Sequence, residues 1–543
     1  MILAALLATA SFDWFAYKGA DPVDRAVTPA AGEYRNPILQ GFYPDPSITR
    51  VGADYYLVNS TFGWFPGIPV WHSRDLVTWR QIGNAIDRPD QLDFGRIWLS
   101  NGVYAPAIEH HAGTFYILNT CVECGGNFLI TAQNPAGPWS DPIWLPDLKG
   151  GIDPSLFFDD DGSAWIVNNG PPVGKPRYDG HRAIWAQRFD PIAKRTFGPR
   201  TVLVDGGVDP ASRPIWIEGP HVIRKQGWYY LICAEGGTAI NHSQVVLRAR
   251  RPDGPYEAGP NPILTQRDLP ADRAHPVTSA GHADFTTTPD GRWWATFLAV
   301  RPYHGDFYNT GRETFLLPVD WSGEWPRVLP PRTPIPLALP RPALPRDSRP
   351  AAPTSGAFAW REDFDRPTLG PEWMMMRNPR ERWFDLAVKP GALTLKLRAV
   401  GLGDNGNPSF FARRQQHAHA TVTTRVRLNA ARGQAGLAAL QNDDHWFAIA
   451  VARQDGRSVV RLLRRGGPKE PATGALVAQA PLPAGRAVEL RAVAEGARYR
   501  FSYAIRPGQW RALGGEQDGA LLSTAKAGGF VGAVFGPFAT EKM

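Results

Sequence analysis

Apolar and polar positions along this chain follow one pattern five times: a polar or Pro-containing start, a short apolar run, a glycine turn and an aromatic-rich run. The segments begin at Asp45 (DPSITRVGADYYLV), Ala105 (APAIEHHAGTFYIL), Asp153 (DPSLFFDDDGSAWIV), Glu218 (EGPHVIRKQGWYYLI) and Asp284 (DFTTTPDGRWWATF). Their β-branched and aromatic content, bounded by turn residues, predicts strands. The turn glycines Gly52, Gly113, Gly162, Gly227 and Gly291 recur roughly every fifty to sixty-five residues, the period of a five-bladed β-propeller with one repeat per blade. Four short strands are expected in each blade, in the first PSITRV, YYLVNST, PVWHSRD and WRQIGNAI. No helical periodicity of useful length interrupts them.

After the fifth repeat, VLPPRTPIPLALPRPALPRDSRPAAPTSG is proline-rich and reads as a stiff connector. Beyond it ALTLKLRAV, ATVTTRVRLN, WFAIAVAR, SVVRLLRR, AVELRAVA and RYRFSYAI alternate with the two-residue period of half-buried strands, and intervening glycine turns point to an antiparallel β-sandwich. The chain therefore divides into a leader (1–33), a propeller (34–330), a linker (331–356) and a β-sandwich (357–543). The fold class is all-β.

The length of 543 residues suits two domains, and 55 Gly, 52 Pro and 20 Trp match a turn-rich β architecture. A net charge of +8 raises the question of an anionic partner. The arginines are scattered, with no five-residue basic block or nucleic-acid motif, so the surface reads as a solvated basic one. Cys121 and Cys124 lack the second pair of a structural zinc site, and the CxxC ends a strand rather than starting a helix; inert thiols and a local disulfide both fit. MILAALLATAS resembles the apolar region and small-residue cleavage site of a signal peptide but lacks a charged start. It reads either as an export signal, placing the protein in the periplasm or outside the cell, or as a frayed terminus of a cytoplasmic protein. No later run has the length of a membrane span.

In a propeller the equivalent strand of each blade faces the central channel, so Asp45, Asp153 and Glu218 are expected in one pocket. A single Asp at a strand start is commonly a turn residue. Three acids in register among five repeats point instead to acid–base chemistry, in which neighbouring carboxyls divide labour when their surroundings separate their pKa values.

RNPILQGFYPDPSI, STFGWFPGIPVWHSRDLVTW, GVYAPAI, GGIDPSLFFDDDG, EGPHV, AGHADF and GRETFL, in this order, resemble glycoside hydrolase family 43, in particular its β-xylosidase-like branch. The resemblance covers residues 34 to 330. The remainder is similar to the concanavalin-like sandwich that follows the propeller in many such enzymes, with NPSFFARRQQH its most recognisable piece.

The resemblance implies an inverting, exo-acting glycosidase with Asp45 as general base, Glu218 as general acid and Asp153 as the carboxylate that orients the acid and raises its pKa. Arg312 matches an arginine that contacts sugar hydroxyls, against the alternative of a surface ion pair with Glu313. Phe62, Trp64 and Phe65 lie in the motif that lines the sugar subsite, and Tyr104 stands where many relatives carry Trp. Trp71, in the same motif, reads as blade packing. His282 matches a histidine at the propeller axis that in some members holds a structural calcium through waters; it reads here as a structural residue, with metal the lesser alternative. No organic cofactor is implied. The expected activity is a β-xylosidase acting on xylo-oligosaccharides or xylan. The rival is an α-L-arabinofuranosidase acting on arabinose-substituted xylan or arabinan, and a further alternative is a non-catalytic carbohydrate-binding propeller. Neither nucleic acid nor membrane is expected as partner, and oligomeric state is left open.

Overall fold

The structure, a computed structural model, describes residues 8–543. Five sheets carry the repeats. Blade one holds Ser47–Val51, Asp54–Val58, Gly67–Ser73 and Arg80–Ile86, and blade three holds Ile152–Phe158, Ala164–Gly170, Ala183–Asp190 and Arg195–Asp205. The innermost strands are Ser47–Val51, Ala107–His111, Ile152–Phe158, Glu218–Lys225 and Thr278–Thr287. Each packs against the next, and the fifth packs against the first, closing the ring that the repeat period predicts.

Blade five has three regular strands, ending in Glu313–Val319. Its outer position is taken by the segment before blade one. Ile38 N–H donates to Thr314 O (2.9 Å) and Thr314 N–H to Leu39 O (3.2 Å). The Asn36 side chain bonds both the N–H and the C=O of Leu316. Segments far apart in sequence thus share one ladder, which closes the propeller at the seam.

Two eight-stranded sheets form the sandwich. Strand His419–Asn429 alternates buried residues with less buried ones along its length, as does Val488–Glu495, the expected two-residue period with one face on the core. Two strands come from outside the expected boundaries. Thr9–Gly19 lies inside the first sheet, between Leu393–Lys396 and His419–Asn429, with Ala10, Phe12 and Phe15 fully buried. Thr9–Gly19, which falls inside the expected leader of 1–33, is instead a sandwich strand: TASFDWFAYKG pairs because its apolar side chains complete the sandwich core. The start of the apolar run, residues 1–7, lies outside the described residues. Trp64–Phe65 extends the second sheet by pairing with Met374–Met376, so the propeller itself supplies a sandwich strand.

The proline-rich connector follows the propeller wall. Ala338–Pro340 pairs with Glu33–Arg35, and Asp347 accepts from Arg80 at 2.7 and 2.9 Å. Arg377, almost wholly buried, donates to Ile97 O in the propeller and forms a two-pronged pair with Asp443 in the sandwich at 3.0 and 2.9 Å. The two domains share packed side chains and backbone ladders.

Candidate functional site

The inner strands carry their functional side chains at a shared backbone irregularity. Asp45, Asp153 and His282 have φ of +51°, +52° and +52°, a left-handed conformation costly for residues with a Cβ. Near Asp153, Glu218 and His282 the strand ladders shift register, so local pairing yields to the placement of these side chains. In blade five the residue at this position is His282, two places before the expected Asp284. Asp284 instead sits lower on the axis, accepting from Ser47 Oγ (2.8 Å) and Ile48 N–H (2.9 Å). It ties blade five to blade one and does not line the cavity.

Asp45, Asp153, Glu218, His282 and Arg312 line one cavity of about 340 Å³. Its apolar walls include Phe62, Tyr104, Ile215, Trp216 and Phe530. Phe530 comes from the sandwich, on a loop held by its N–H donating to Ser100 Oγ (2.9 Å), and packs against Phe62 and Tyr104 with ring centroids 5.9 Å away in both cases. A separate cleft of about 450 Å³ at the edge of blades four and five contains Trp325, several prolines and only exposed carboxylates; it has no buried acid to set apart from a base.

Asp45 accepts from Ser60 Oγ (2.5 Å) and Arg312 Nη1 (3.2 Å), and His282 Nδ1 lies 3.8 Å away. Burial pushes its carboxyl up, but Arg312, His282 and the Ser60 hydroxyl together outweigh burial and hold it below the usual carboxylate range. Burial itself keeps the His282 imidazole neutral down to about 4, so at neutral pH Arg312 is the charge that stabilises the anion. Burial raises Glu218 well above its ordinary value, and the Asp153 and Asp45 charges add to the effect against Arg312 and Arg182. Asp153 is pushed up to about 7 by burial and by Asp45, opposed by the Gly219 N–H that reaches its Oδ2 at 3.2 Å. A hydrogen bond to the anion favours Asp153 as the ionised member of the pair and leaves the proton with Glu218. Gly219, at φ +56°, has no side-chain alternative: a Cβ there would come within 2.8 Å of the His282 ring.

Three of the expected aromatics behave differently from the other two. Phe62 and Tyr104 line the cavity. Trp64 is fully buried between Phe42 and Phe410, and Phe65 packs in the large core; neither lines the cavity, because their extended backbone is spent on pairing with Met376 and Met375. Trp71 packs edge-on against Tyr43 in the blade core. The ion pair considered for Arg312 is absent, since Glu313 is taken by Arg301 at 2.6 Å. Ser60, Arg182, Trp216, Thr238 and Phe530 were not anticipated. Trp216 alone carried a local signal, as a bulky aromatic two residues before Glu218.

The channel beneath the carboxylates offers about 10 Å³, bounded by Asp45, Ser47, Ser155, His221 and His282, the space of one water. Among the described residues no three His, Cys, Asp or Glu side chains converge to hold a metal. Calcium takes six to eight oxygen ligands, and this donor set does not fit a directly coordinated ion. Cys121 and Cys124 form a disulfide across the tip of the blade-two hairpin, where Cys121 lies opposite Val103, the residue before Tyr104; the third cysteine, Cys233, is buried and free.

Residues 34–326 match the model of glycosyl hydrolases family 43, and 361–543 match the β-xylosidase C-terminal concanavalin A-like domain. A non-reducing-end α-L-arabinofuranosidase of Bacteroides ovatus is 36% identical over 532 residues, 95% of this chain and 92% of that one. A xylosidase/arabinosidase of Butyrivibrio fibrisolvens is 35% identical over 93% of this chain and 95% of its own. Among solved structures, a GH43_12 protein retrieved from a capybara gut metagenome superposes with a TM-score of 0.91 at 39% identity, covering 98% of this chain and all of the other. A xylan β-1,4-xylosidase of Bacillus halodurans gives 0.82 at 32%, covering 94% and 97%. One family description thus fits more than half of the chain and another fits the sandwich that supplies Phe530: the protein belongs to glycoside hydrolase family 43.

Proposed function

We propose that this protein is an inverting, exo-acting β-xylosidase that releases xylose from the non-reducing ends of xylo-oligosaccharides. The observation that carries the reading is the division among three carboxyls in one cavity: Arg312 holds Asp45 ionised, while burial and two anionic neighbours keep Glu218 protonated. Asp45 then takes a proton from water as the water attacks the anomeric carbon, and Glu218 gives its proton to the departing oxygen. Asp153 raises the affinity of Glu218 for that proton. Phe62, Tyr104 and Phe530 supply faces for the sugar ring, and Arg312 supplies fixed donors. Phe530 walls one side, which favours a chain end over a chain interior. A non-catalytic binder has no use for carboxyls poised in opposite protonation states.

Similarity to an α-L-arabinofuranosidase at 36% identity supports a second reading in which the same machinery cleaves arabinofuranosides. Hydrolysis of a panel of aryl glycosides separates the two. Aryl β-D-xyloside is expected to be preferred; preference for aryl α-L-arabinofuranoside would move the assignment, and hydrolysis of neither would refute a glycosidase. Proton NMR of the first product should show the anomer opposite to the substrate's, and retention would refute direct attack by water. We propose further that turnover requires no metal.

A further inference from the structure

Trp216 is singled out by three independent features. Its side chain is 36% exposed and lines the cavity. Its backbone is left-handed at φ +59°, with its N–H donating to Gly180 O (2.9 Å). A bulky residue adopts that conformation only where its surroundings impose it, and the other non-glycine cavity residues that share it are Asp45, Phe62, Asp153 and His282. Third, one face of its ring is covered by the Arg182 guanidinium, 4.8 Å from the ring centroid. Arg182 is itself tethered to Gly150 O (2.7 Å) and Asn169 Oδ1 (3.0 and 2.6 Å). The ring is therefore held in place, not adrift at the mouth.

The direction of the chemistry says which half of the substrate meets this ring. A general acid must reach the leaving oxygen, so whatever lies beyond that oxygen rests against the wall beside Glu218. That wall is Ile215, Trp216, Gly237 and Thr238, with Ile240 half-exposed on the same loop as Gly237. Thr238 is its only side chain able to hydrogen-bond a hydroxyl through oxygen. A wall with one such group and a fixed aromatic ring recognises the flat apolar face of a ring more than a pattern of hydroxyls.

Resting on the glycosidase reading above, we propose that Trp216, seated by Arg182, is the platform on which the leaving group stacks. It selects leaving groups by a flat ring face, carbohydrate or aromatic alike. Three xylosides test this: xylobiose, whose leaving group has a ring and needs the acid; 2,4-dinitrophenyl xyloside, which has a ring and does not need the acid; and xylosyl fluoride, which has neither a ring nor the need. Trp216→Ala should lose about tenfold in kcat/KM on the first two, the scale of one lost ring contact, and change little on the fluoride. Trp216→Phe should recover most of the loss. Arg182→Met, which keeps the stem but not the guanidinium, should weaken the same two substrates.

Equal loss on all three would mean that the ring only supports the fold. Loss confined to xylobiose would mean that it only positions Glu218. Either overturns the proposal, as does no loss on xylobiose. If the wild type prefers arabinofuranosides, the same three leaving groups are compared on that sugar. A wild type inert on both sugars would refute the glycosidase reading and this proposal with it.

Discussion

Replacing Asp153 with Asn isolates the charge that sets the acid. Asn keeps the size of the side chain, and its carbonyl can still accept from Gly219 N–H, the 3.2 Å contact of the native carboxylate. What disappears is a negative charge beside Glu218. The Asp153 charge stands second to burial among the causes that raise Glu218; two like charges on the order of 6 Å apart at an effective dielectric of about 20 repel by about 3 kcal/mol. Removing it lowers the Glu218 pKa, while burial, the larger cause, still holds it above its ordinary value. The acid is active while protonated, so a lower pKa means that its proton is lost at lower pH. The alkaline limb of kcat/KM should move to lower pH, while the acid limb, set by Asp45 and held low by Arg312, stays nearly in place. On xylobiose the variant should begin to lose activity at a lower pH than the unmodified enzyme does, falling about tenfold per pH unit beyond that limb. On 2,4-dinitrophenyl xyloside, which departs without a proton, that pH-dependent loss should vanish. An alkaline limb that stays in place or moves up, or a loss equal at every pH, would refute the electrostatic account of Asp153.

Prolonged chelation in metal-free buffer should leave activity nearly intact, and a large loss restored by calcium would show an ion at the axis that the donor set does not reveal. Arg377→Met should destabilise the protein by about 3–5 kcal/mol, because the buried Asp443 carboxyl is left without its partner. The double variant Arg377→Met with Asp443→Leu should recover much of the lost melting temperature, and an undiminished melting temperature in the single variant would refute the latch. Deleting the chain after about residue 340 uncovers Trp64, Phe62 and Phe42 and removes Phe530, so poorly soluble or inactive protein is expected; a soluble, fully active propeller would make the sandwich an independent module.

What the sequence disclosed and what it hid divide along the range of the interactions. The blades were legible because a hairpin is local: each strand finds its partner across a glycine turn a few residues away, and the two-residue alternation records which face is buried. The three acids were legible for the same reason, each being marked by its place in a repeat. His282 shows how that signal fails. The repeat pattern aligned Asp284 with the other acids, but ladder shifts at Gly281 and Asp284 slide this strand by two residues, and nothing local to DFTTTPDG announces them.

The sandwich hid more, because its partners are distant in the chain. TASFDWFAYKG alternates as a strand should, yet beside an apolar start it read as part of a leader; its pairing with Phe358–Glu362 and His419–Asn429 lies beyond the reach of any local rule. Trp64 and Phe65 failed for the same cause. An aromatic next to the cavity-lining Phe62 carries the same letter whether it faces the cavity or a second domain, and the pairing with Met374–Met376 decides between them. Phe530 is the mirror case, a residue of the second domain that the first domain's cavity needs. A site built at a domain junction is written in two places, and only the long-range packing that joins them shows which residues belong to the chemistry and which to the joint.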